Sequence, residues 1–172
     1  MNSDKLAIAQ AVEARQEKFW GISDAIWSYA ELGLEEYRSS KLLADILEAA
    51  GFKVDRGVAG MHTAFIATWS QGNGQPTIGF LGEFDALPML SQKAGVPKKD
   101  PLVSGAPGHG CSHNTMGTVQ ALTVITLKEV METNSLGPNG AQIACADMIA
   151  LNTDEIKKSI EQFKSDYIRV DT

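Results

Sequence analysis

A strongly apolar run that ends in a carboxylate is the feature that most constrains the fold of this 172-residue chain. Residues 77–82 read Thr-Ile-Gly-Phe-Leu-Gly, and Glu83 follows at once. Because the run is apolar on both faces, it predicts an interior strand of a sheet that is covered on both sides. Segments with helical spacing come before and after it, so the sequence predicts an α/β layered domain.

The spacing of apolar residues predicts the other elements. A long N-terminal helix carries Phe19, Ile22, Ile26 and Tyr29 at intervals of three and four, and Gly21 is its expected break. Further strands are predicted at 52–55 and 63–69, and an irregular segment at 85–113. Further helices are predicted at 39–50, 115–132, 141–151 and 154–167. Asn114 or Thr115 is the expected cap of the helix that ends at 132. An irregular segment of that length inside a compact domain usually carries function.

Composition and charge exclude several classes of protein. The net charge is −6 and the fifteen Lys and Arg residues form no basic run, which argues against a nucleic-acid partner. No apolar stretch reaches the roughly 18 residues that span a bilayer, so no membrane partner is expected. Residues 1–10 lack the apolar core of a signal peptide, and the expected location is the cytoplasm. Cys111 and Cys145 are expected to be reduced thiols.

Two short motifs contain residues suited to chemistry. Residues 108–114 read Gly-His-Gly-Cys-Ser-His-Asn, and Cys and His are the ligands that zinc prefers. Asp85 follows the predicted buried strand, at the end where ligand sites of α/β sheets gather. Each motif alone has a simpler explanation. Cys111 could be a small buried thiol beside a loop histidine, and Asp85 could cap a turn before Pro88.

Together the two motifs resemble the M20 family of amidohydrolases, and most closely its p-aminobenzoyl-glutamate hydrolase branch. In that family an Asp-Ala-Leu-Pro element ends a strand and a Gly-His-x-Cys-Gly-His element follows. The resemblance is nearly continuous from residue 26 to residue 132, and its motifs are GEFDALP at 82–88, GHGCSHN at 108–114, YAELGLEEYRSS at 29–40, GMHTAF at 60–65 and LSQKAG at 90–95.

The resemblance implies a fold, an activity and a site. The fold would be a three-layer helix-sheet-helix sandwich like the catalytic domain of zinc-dependent exopeptidases, here incomplete. The activity would be hydrolysis of an amide bond in a small N-acyl, dipeptide or aminobenzoyl-glutamate-like substrate. Cys111 and His113 would bind metal with His109 beside them, and Asp85 would be the catalytic carboxylate. The family uses two divalent cations, zinc or manganese, which activate water and polarise the amide carbonyl.

The chain departs from the family pattern in three ways. It has only three histidines, none after His113, and it has no Glu-Glu pair downstream of that residue, so at most one ion is expected. Ser112 replaces the usual Gly, which costs strain if the backbone there has a positive φ. The lid domain and the middle of the catalytic domain are absent. We therefore predict one partial domain, in which residues 1–136 join directly to closing helices at 137–172.

Three functions remain open at this level. The first is a metal-dependent amidohydrolase that obtains its missing ligands from a second chain. The second is an inactive remnant that binds at most one metal ion or associates with other chains. The third is a cysteine-nucleophile hydrolase that uses Cys111, which the two-residue spacing to His113 disfavours. The lost strands predict an exposed sheet edge, and hence a homo-oligomer or poor solubility.

Overall fold

The computed structural model describes residues 3–72, 77–134 and 140–147. Its helices and strands, in chain order, are α1 (Ser3–Glu13), α2 (Gln16–Tyr29), α3 (Tyr37–Ala49), β1 (Lys53–Arg56), β2 (Phe65–Gly72), β3 (Thr77–Gly82), α4 (His113–Asn134) and β4 (Gly140–Asp147). A short 3-10 turn, Val58–Gly60, lies between β1 and β2.

The described strands form one mixed sheet in the order β1-β2-β4-β3. Strand β2 pairs antiparallel with both β1 and β4, whereas β3 pairs parallel with β4. A parallel pair requires a crossover connection, and α4 provides it between β3 and β4. This β3-α4-β4 unit sets the position of the candidate site, because the end of β3 and the start of α4 lie next to each other.

The core lies between the helices and one face of the sheet. Phe65, Ala67, Ile143 and Cys145 point toward the helices and are buried, whereas Ile66 on the opposite face is 36% exposed. Helix α3 contacts β1 and β2, and α4 contacts β3 and β4. The helices contribute buried apolar residues at spacings of three or four: Phe19, Ile22, Ile26, Leu43, Leu47, Ala121 and Val124. The α/β class predicted from sequence is confirmed.

Strand β4 overturns one predicted helix. The sequence predicts a helix at 141–151, in a segment that resembles the closing helices of the M20 catalytic domain and is rich in Ala, a strong helix former. Residues 140–147 instead form a strand whose backbone pairs with β2 on one side and β3 on the other. Ile143 and Cys145, two residues apart, both enter the core, as the period of a strand requires. Two complete ladders of backbone hydrogen bonds outweigh the intrinsic preference of alanine.

The position of β3 also differs from the prediction. The apolar run predicted an interior strand, but β3 is the last strand of the sheet among the described residues. Ile78 is 42% exposed and Leu81 is 46% exposed. An apolar strand is stable when other strands or helices cover it, but its own sequence does not determine whether such elements are present.

Two helix boundaries were also misplaced. The N-terminal helix breaks at Ala14 and Arg15, and Gly21 lies inside α2, where no atom would obstruct an added side chain. Helix α4 begins at His113, so Asn114 lies in its first turn and is not a cap. The Asn114 amide donates instead to the Ser23 side chain, 3.0 Å away. The Asn114 side chain, which the sequence predicted as a possible helix cap, thus makes a tertiary contact between α2 and α4.

The irregular segment forms an ordered arm, defined here as residues 87–108. Its ends are joined by reciprocal backbone hydrogen bonds of 3.0 Å between Leu87 and Gly108. The Leu90 carbonyl approaches Gly108 so closely that no other residue type would fit there. The prediction of an irregular segment is confirmed, and backbone pairing gives it a fixed shape.

Some predictions concern parts of the chain that the structure does not describe. The helix at 154–167 and most of the expected junction at 136–140 fall outside the described residues. Among the helices that are described, none combines the length and the apolar character that crossing a membrane requires.

Candidate active site

The candidate site is a histidine held between two carboxylates. The Nδ1 atom of His113 lies 2.6 Å from Oδ1 of Asp85, and its Nε2 atom lies 2.9 Å from Oε2 of Glu83. Both carboxylates immediately follow β3, and His113 is the first residue of α4. All three side chains are largely shielded from solvent, with His113 only 13% exposed. Hydrogen bonds to charged partners in such a setting are strong and fix the ring orientation.

The two bonds constrain the protons of the histidine. An ionised carboxylate only accepts hydrogen bonds, so donation from both ring nitrogens requires a proton on each. The bond from Nδ1 to Asp85 is the arrangement by which carboxylates orient metal-binding histidines. It would leave Nε2 to bind a cation in place of its present bond to Glu83. This arrangement would suit a histidine ligand, because the bond to Asp85 already orients the second ring nitrogen.

Close packing of α4 against the end of β3 brings these residues together. A side chain at Gly117 would lie 3.0 Å from the Glu83 carbonyl oxygen and from Cβ of Phe84. Phe84 is only 1% exposed and anchors the segment between the two carboxylates in the core. Glycine at position 117 thus permits the approach that places His113 beside Glu83 and Asp85.

Two glutamates, Glu31 and Glu36, stabilise the segments next to the site. The Glu31 carboxylate accepts hydrogen bonds from the backbone N–H groups of Arg38 and Ser39, both at 2.9 Å, and so caps the start of α3. The Glu31 carbonyl accepts a hydrogen bond of 2.6 Å from the backbone N–H of Ala86, next to Asp85. The YAELGLEEYRSS segment therefore stabilises a helix start and fixes the strand end that carries Asp85.

Glu36 is the second of these glutamates and is completely buried. It accepts hydrogen bonds from the Leu34 N–H at 2.8 Å and from the Thr63 hydroxyl at 2.6 Å. Removal from water raises the pKa of Glu36 above its usual value, and the nearby charge of Asp85 adds a smaller effect in the same direction. Its hydrogen-bond partners are structural, so Glu36 supports the fold.

His109 has a different environment from the other predicted ligands. Its Nε2 atom lies 3.1 Å from the Ile26 carbonyl oxygen, which only accepts, so Nε2 carries the proton. Its Nδ1 atom is buried and has no hydrogen-bond partner among the described residues. Burial lowers the pKa of His109, which favours the neutral ring. The structure thus ties His109 to the end of α2.

Cys111 and Ser112 lie between these two histidines in the chain. Cys111 is exposed and its thiol is free. Ser112 has φ of 64°, so the condition under which Ser in place of Gly costs strain is met. Across the residues that the structure describes, no three His, Cys, Asp or Glu side chains converge in a way that would hold a metal ion. His113 suits a metal ligand, but the described donors do not make a complete metal site.

Sequence reasoning left the role of Glu83 undecided, although a usable signal was present. Glu83 and Asp85 are two residues apart in an extended segment, with buried Phe84 between them. Alternation along an extended backbone places residues two apart on the same side. That pattern indicates that any partner of Asp85 can also reach Glu83.

Comparison with known proteins identifies relatives of most of the chain. It is 42% identical over 125 residues to a p-aminobenzoyl-glutamate hydrolase of Escherichia coli, which corresponds to 73% of this chain and 26% of that protein. The chain therefore spans about a quarter of the length of that relative.

The C-terminal third shows a second similarity. Residues 117–172 match a family model described as a conserved hypothetical ATP-binding protein. The chain is also 42% identical over 48 residues to GPN-loop GTPase 3 of Mycosarcoma maydis, covering 28% of this chain and 17% of that protein. All of the M20-like motifs given above precede residue 117.

Solved structures support the fold. An aminohydrolase from methicillin-resistant Staphylococcus aureus matches 83% of this chain and 34% of its own, with a TM-score of 0.66 and 18% identity. A Bacillus subtilis protein described as a dinuclear metal-binding peptidase of the M20 family matches 78% of this chain and 35% of its own, with a TM-score of 0.57 and 20% identity. The strand-end carboxylates, the histidine at the start of α4 and these relatives lead to one conclusion: the chain belongs to the M20 family of amidohydrolases and peptidases.

Proposed function

We propose that this chain carries part of the active site of a metal-dependent amidohydrolase, whose substrate is a small amide of the aminobenzoyl-glutamate type. The observation that supports this most directly is the bond between Nδ1 of His113 and Asp85, at 2.6 Å. In metal sites a carboxylate in this position fixes the tautomer of the histidine and increases its basicity. Asp85 then acts as a positioning residue and Nε2 of His113 as the metal-binding atom.

The proposed ligands are Cys111 and His113, with His109 flanking them as the family resemblance implies. Zinc or manganese is the proposed ion, and its role would be to activate water against the amide carbonyl. A catalytic zinc ion takes about three protein ligands and a water molecule. The described residues therefore supply a partial ligand set, and full activity would require further ligands from outside them, for example from a second chain. The alternative is an inactive remnant that binds at most one ion.

Metal binding is tested by elemental analysis after the protein is incubated with Zn²⁺ or Mn²⁺ and desalted. We expect about one equivalent in the wild type, its loss in His113→Ala and Cys111→Ala, and affinity reduced roughly 10- to 100-fold in Asp85→Asn. His62→Ala is the matched control, because this histidine is exposed and lies outside the cluster. Equal metal content in the wild type and His113→Ala would contradict the proposed site.

Hydrolysis is tested separately, by release of p-aminobenzoate from p-aminobenzoyl-glutamate. Turnover that a chelator and His113→Ala both abolish would support the enzyme. Metal binding without turnover, even with a full-length relative added, would favour the remnant. Labelling of Cys111 by an electrophile that continues in the presence of chelator, together with chelator-resistant turnover, would favour the cysteine-nucleophile alternative.

We infer a second candidate function, nucleotide binding, from the family match at residues 117–172. Residues 137–139 read Gly-Pro-Asn, the three letters in the name of the matched GTPase, although they lie outside the described residues. On this hypothesis the C-terminal third derives from a nucleotide-binding family and not from the closing helices of an M20 domain. Residues 140–147 of that segment form strand β4, so the assignment to closing helices remains a competing prediction only for the residues after β4.

Equilibrium dialysis of the full chain with labelled ATP and GTP tests the second candidate. Binding that persists in His113→Ala and falls on replacement of Pro138 and Asn139 by Ala would support it. If neither nucleotide binds, the similarity of this segment reflects ancestry alone, because the matched segment covers only a small part of the GTPase.

A further inference from the structure

We propose that the groove between the end of α2 and the arm binds the uncharged aromatic part of an aryl amide. This inference rests on the proposed amidohydrolase function and adds to it a subsite for one half of the substrate. The groove is separate from the carboxylate-histidine cluster, and the residues that form its apolar walls belong to neither the proposed ligands nor their carboxylate partners.

The size and walls of the groove suit a small aromatic group. Its volume is about 430 Å³, and its apolar walls include Trp27 and Tyr29 from α2 and Leu90, Leu102 and Val103 from the arm. Pockets for small ligands typically measure about 300–1,000 Å³ and are lined by apolar and aromatic side chains. Leu90, Leu102 and Val103 are 43%, 56% and 63% exposed. Such clustered exposure of apolar residues on a single wall is typical of a binding surface.

Hydrogen bonds within the arm hold that wall in position. The backbone N–H of Ser91 donates to the Ala106 carbonyl at 2.9 Å, and the N–H of Lys93 donates to the Asp100 carbonyl at 3.0 Å. The Ser91 hydroxyl accepts a hydrogen bond of 3.1 Å from the N–H of Val103. The ring of Tyr29 on the opposite wall is covered by the guanidinium of Arg38, 3.8 Å from its centroid. A groove that is already ordered loses little conformational entropy on binding.

Charge indicates which part of the substrate fits. Lys93 is the charged residue among the described residues that line the groove, and its ammonium lies 2.8 Å from the Asp100 carboxylate. His109 also lines the groove, and its Nε2 atom is occupied by the bond to the Ile26 carbonyl oxygen, 3.1 Å away. Lys93 is already paired, and Arg38 is stacked on the Tyr29 ring and is not among the lining residues, so the described lining offers no free positive charge to a carboxylate. It therefore suits the aryl group of an aminobenzoyl amide and not the dicarboxylate of glutamate.

The location of the groove suits a substrate subsite. Gly108, His109 and Gly110 line it, and the chain continues directly into Cys111 and His113. An aryl group in the groove would therefore lie beside the segment that carries the proposed metal ligands. The amide attached to that ring would extend from the groove toward this segment.

The test measures binding without hydrolysis. Metal-free protein in excess chelator is titrated with 4-aminobenzamide, and dissociation constants are obtained from amide chemical shifts by NMR. We expect saturable binding to the wild type, with shifts concentrated at residues 27–30 and 90–110, and no binding of free glutamate. In Val103→Asp, binding should weaken at least about tenfold because the new carboxylate must be desolvated against the ring. The exposed position of Val103 protects the fold from this change.

Met89→Asp is the matched control. Met89 belongs to the same arm, is 74% exposed and does not line the groove, so binding should stay within about twofold of the wild type. The proposal is overturned if 4-aminobenzamide does not bind the wild type, binds Val103→Asp equally well, or competes with free glutamate. Because no metal is present, a failure of the metal site leaves this result unchanged. Aryl binding and metal binding can therefore fail independently.

Discussion

Ser112 adopts a left-handed backbone conformation, φ 64°, between Cys111 and His113. A residue with a Cβ atom is strained there, at a cost of roughly 1–3 kcal/mol, which Gly avoids. We expect Ser112→Gly to raise the free energy of unfolding by about 1 kcal/mol after the entropic cost of Gly in the unfolded chain. Urea denaturation measures this change. Ser28→Gly is the control, since it lies in helix α2 and should lower stability; a loss of stability in both variants would contradict the prediction.

The buried carboxyl of Glu36 predicts a pH dependence of stability. Its folded pKa lies above the usual 4.5, chiefly because burial disfavours the charged form. The folded state thus binds the proton more tightly, so this contribution is fully present below pH 4.5 and is lost as pH rises through the raised pKa. We expect the unfolding free energy of the wild type to fall over that window relative to Glu36→Gln.

Glu36→Gln is an informative variant because it keeps both hydrogen bonds. The amide oxygen can accept from the Leu34 N–H while the NH₂ group donates to the Thr63 hydroxyl oxygen. Urea unfolding of both proteins between pH 4.5, the usual pKa, and about pH 8 gives the comparison. If the free energies of unfolding of the two proteins change in parallel with pH, burial of the Glu36 carboxyl does not contribute to the pH dependence of stability.

At the scale of elements, helix α3 depends on a cap from outside the helix. Glu31 accepts hydrogen bonds from the first-turn N–H groups of Arg38 and Ser39 and from the Ser39 hydroxyl at 2.7 Å. Glu31→Ala should reduce the unfolding free energy by about 1–2 kcal/mol, the usual cost of a lost N-terminal cap. Thermal unfolding measures it, with exposed Glu35→Ala as the control.

Glu31→Ala also tests whether the start of α3 holds the candidate site in place. Because the Glu31 backbone also holds Ala86, loosening the start of α3 should disturb Asp85 next to it. Glu31→Ala is therefore expected to weaken metal binding as well as stability. A stability loss as large in Glu35→Ala as in Glu31→Ala would contradict the capping role.

At the scale of the whole molecule, the sheet is covered by described helices on one face only. Leu81 and Ile66 on the opposite face are 46% and 36% exposed, and β3 is the outer strand of the sheet among the described residues. Exposed apolar edge strands favour association between copies. We predict concentration-dependent self-association, measurable by analytical ultracentrifugation.

Leu81→Lys should shift that equilibrium toward the monomer, because a charge on an edge strand opposes pairing. Val119→Lys is the matched control, since Val119 has similar exposure, 47%, but lies on α4. If both variants and the wild type sediment alike, the outer face of the sheet is not an association surface.

Two parts of the chain resemble two different families, M20 hydrolases and an ATP-binding family. The M20-like motifs precede residue 117, whereas the match to an ATP-binding family begins there. Helix α4 nevertheless packs against α1, α2 and α3, and its first residue completes the carboxylate-histidine cluster. Most of α4 and all of β4 lie after residue 117, and both pack into the same domain as the M20-like part of the chain.

The sequence by itself determined the local chemistry. Asp85 at a strand end, His113 near a helix start and the order of the elements up to α4 follow from apolar periodicity and residue type, which are local properties. The resemblance of these motifs to the M20 family also lay in the sequence, and the comparisons confirmed it.

Only the tertiary structure decided which groups meet. The contact of His113 with both Glu83 and Asp85 joins residues 28 or more positions apart in the chain and depends on close packing of α4 at Gly117. The strand at 140–147 likewise exists because β2 and β3 each supply a partner backbone, against the helical preference of its alanines. Residue types thus fix what each segment can do alone, whereas pairing and packing between distant segments fix which of those possibilities is realised.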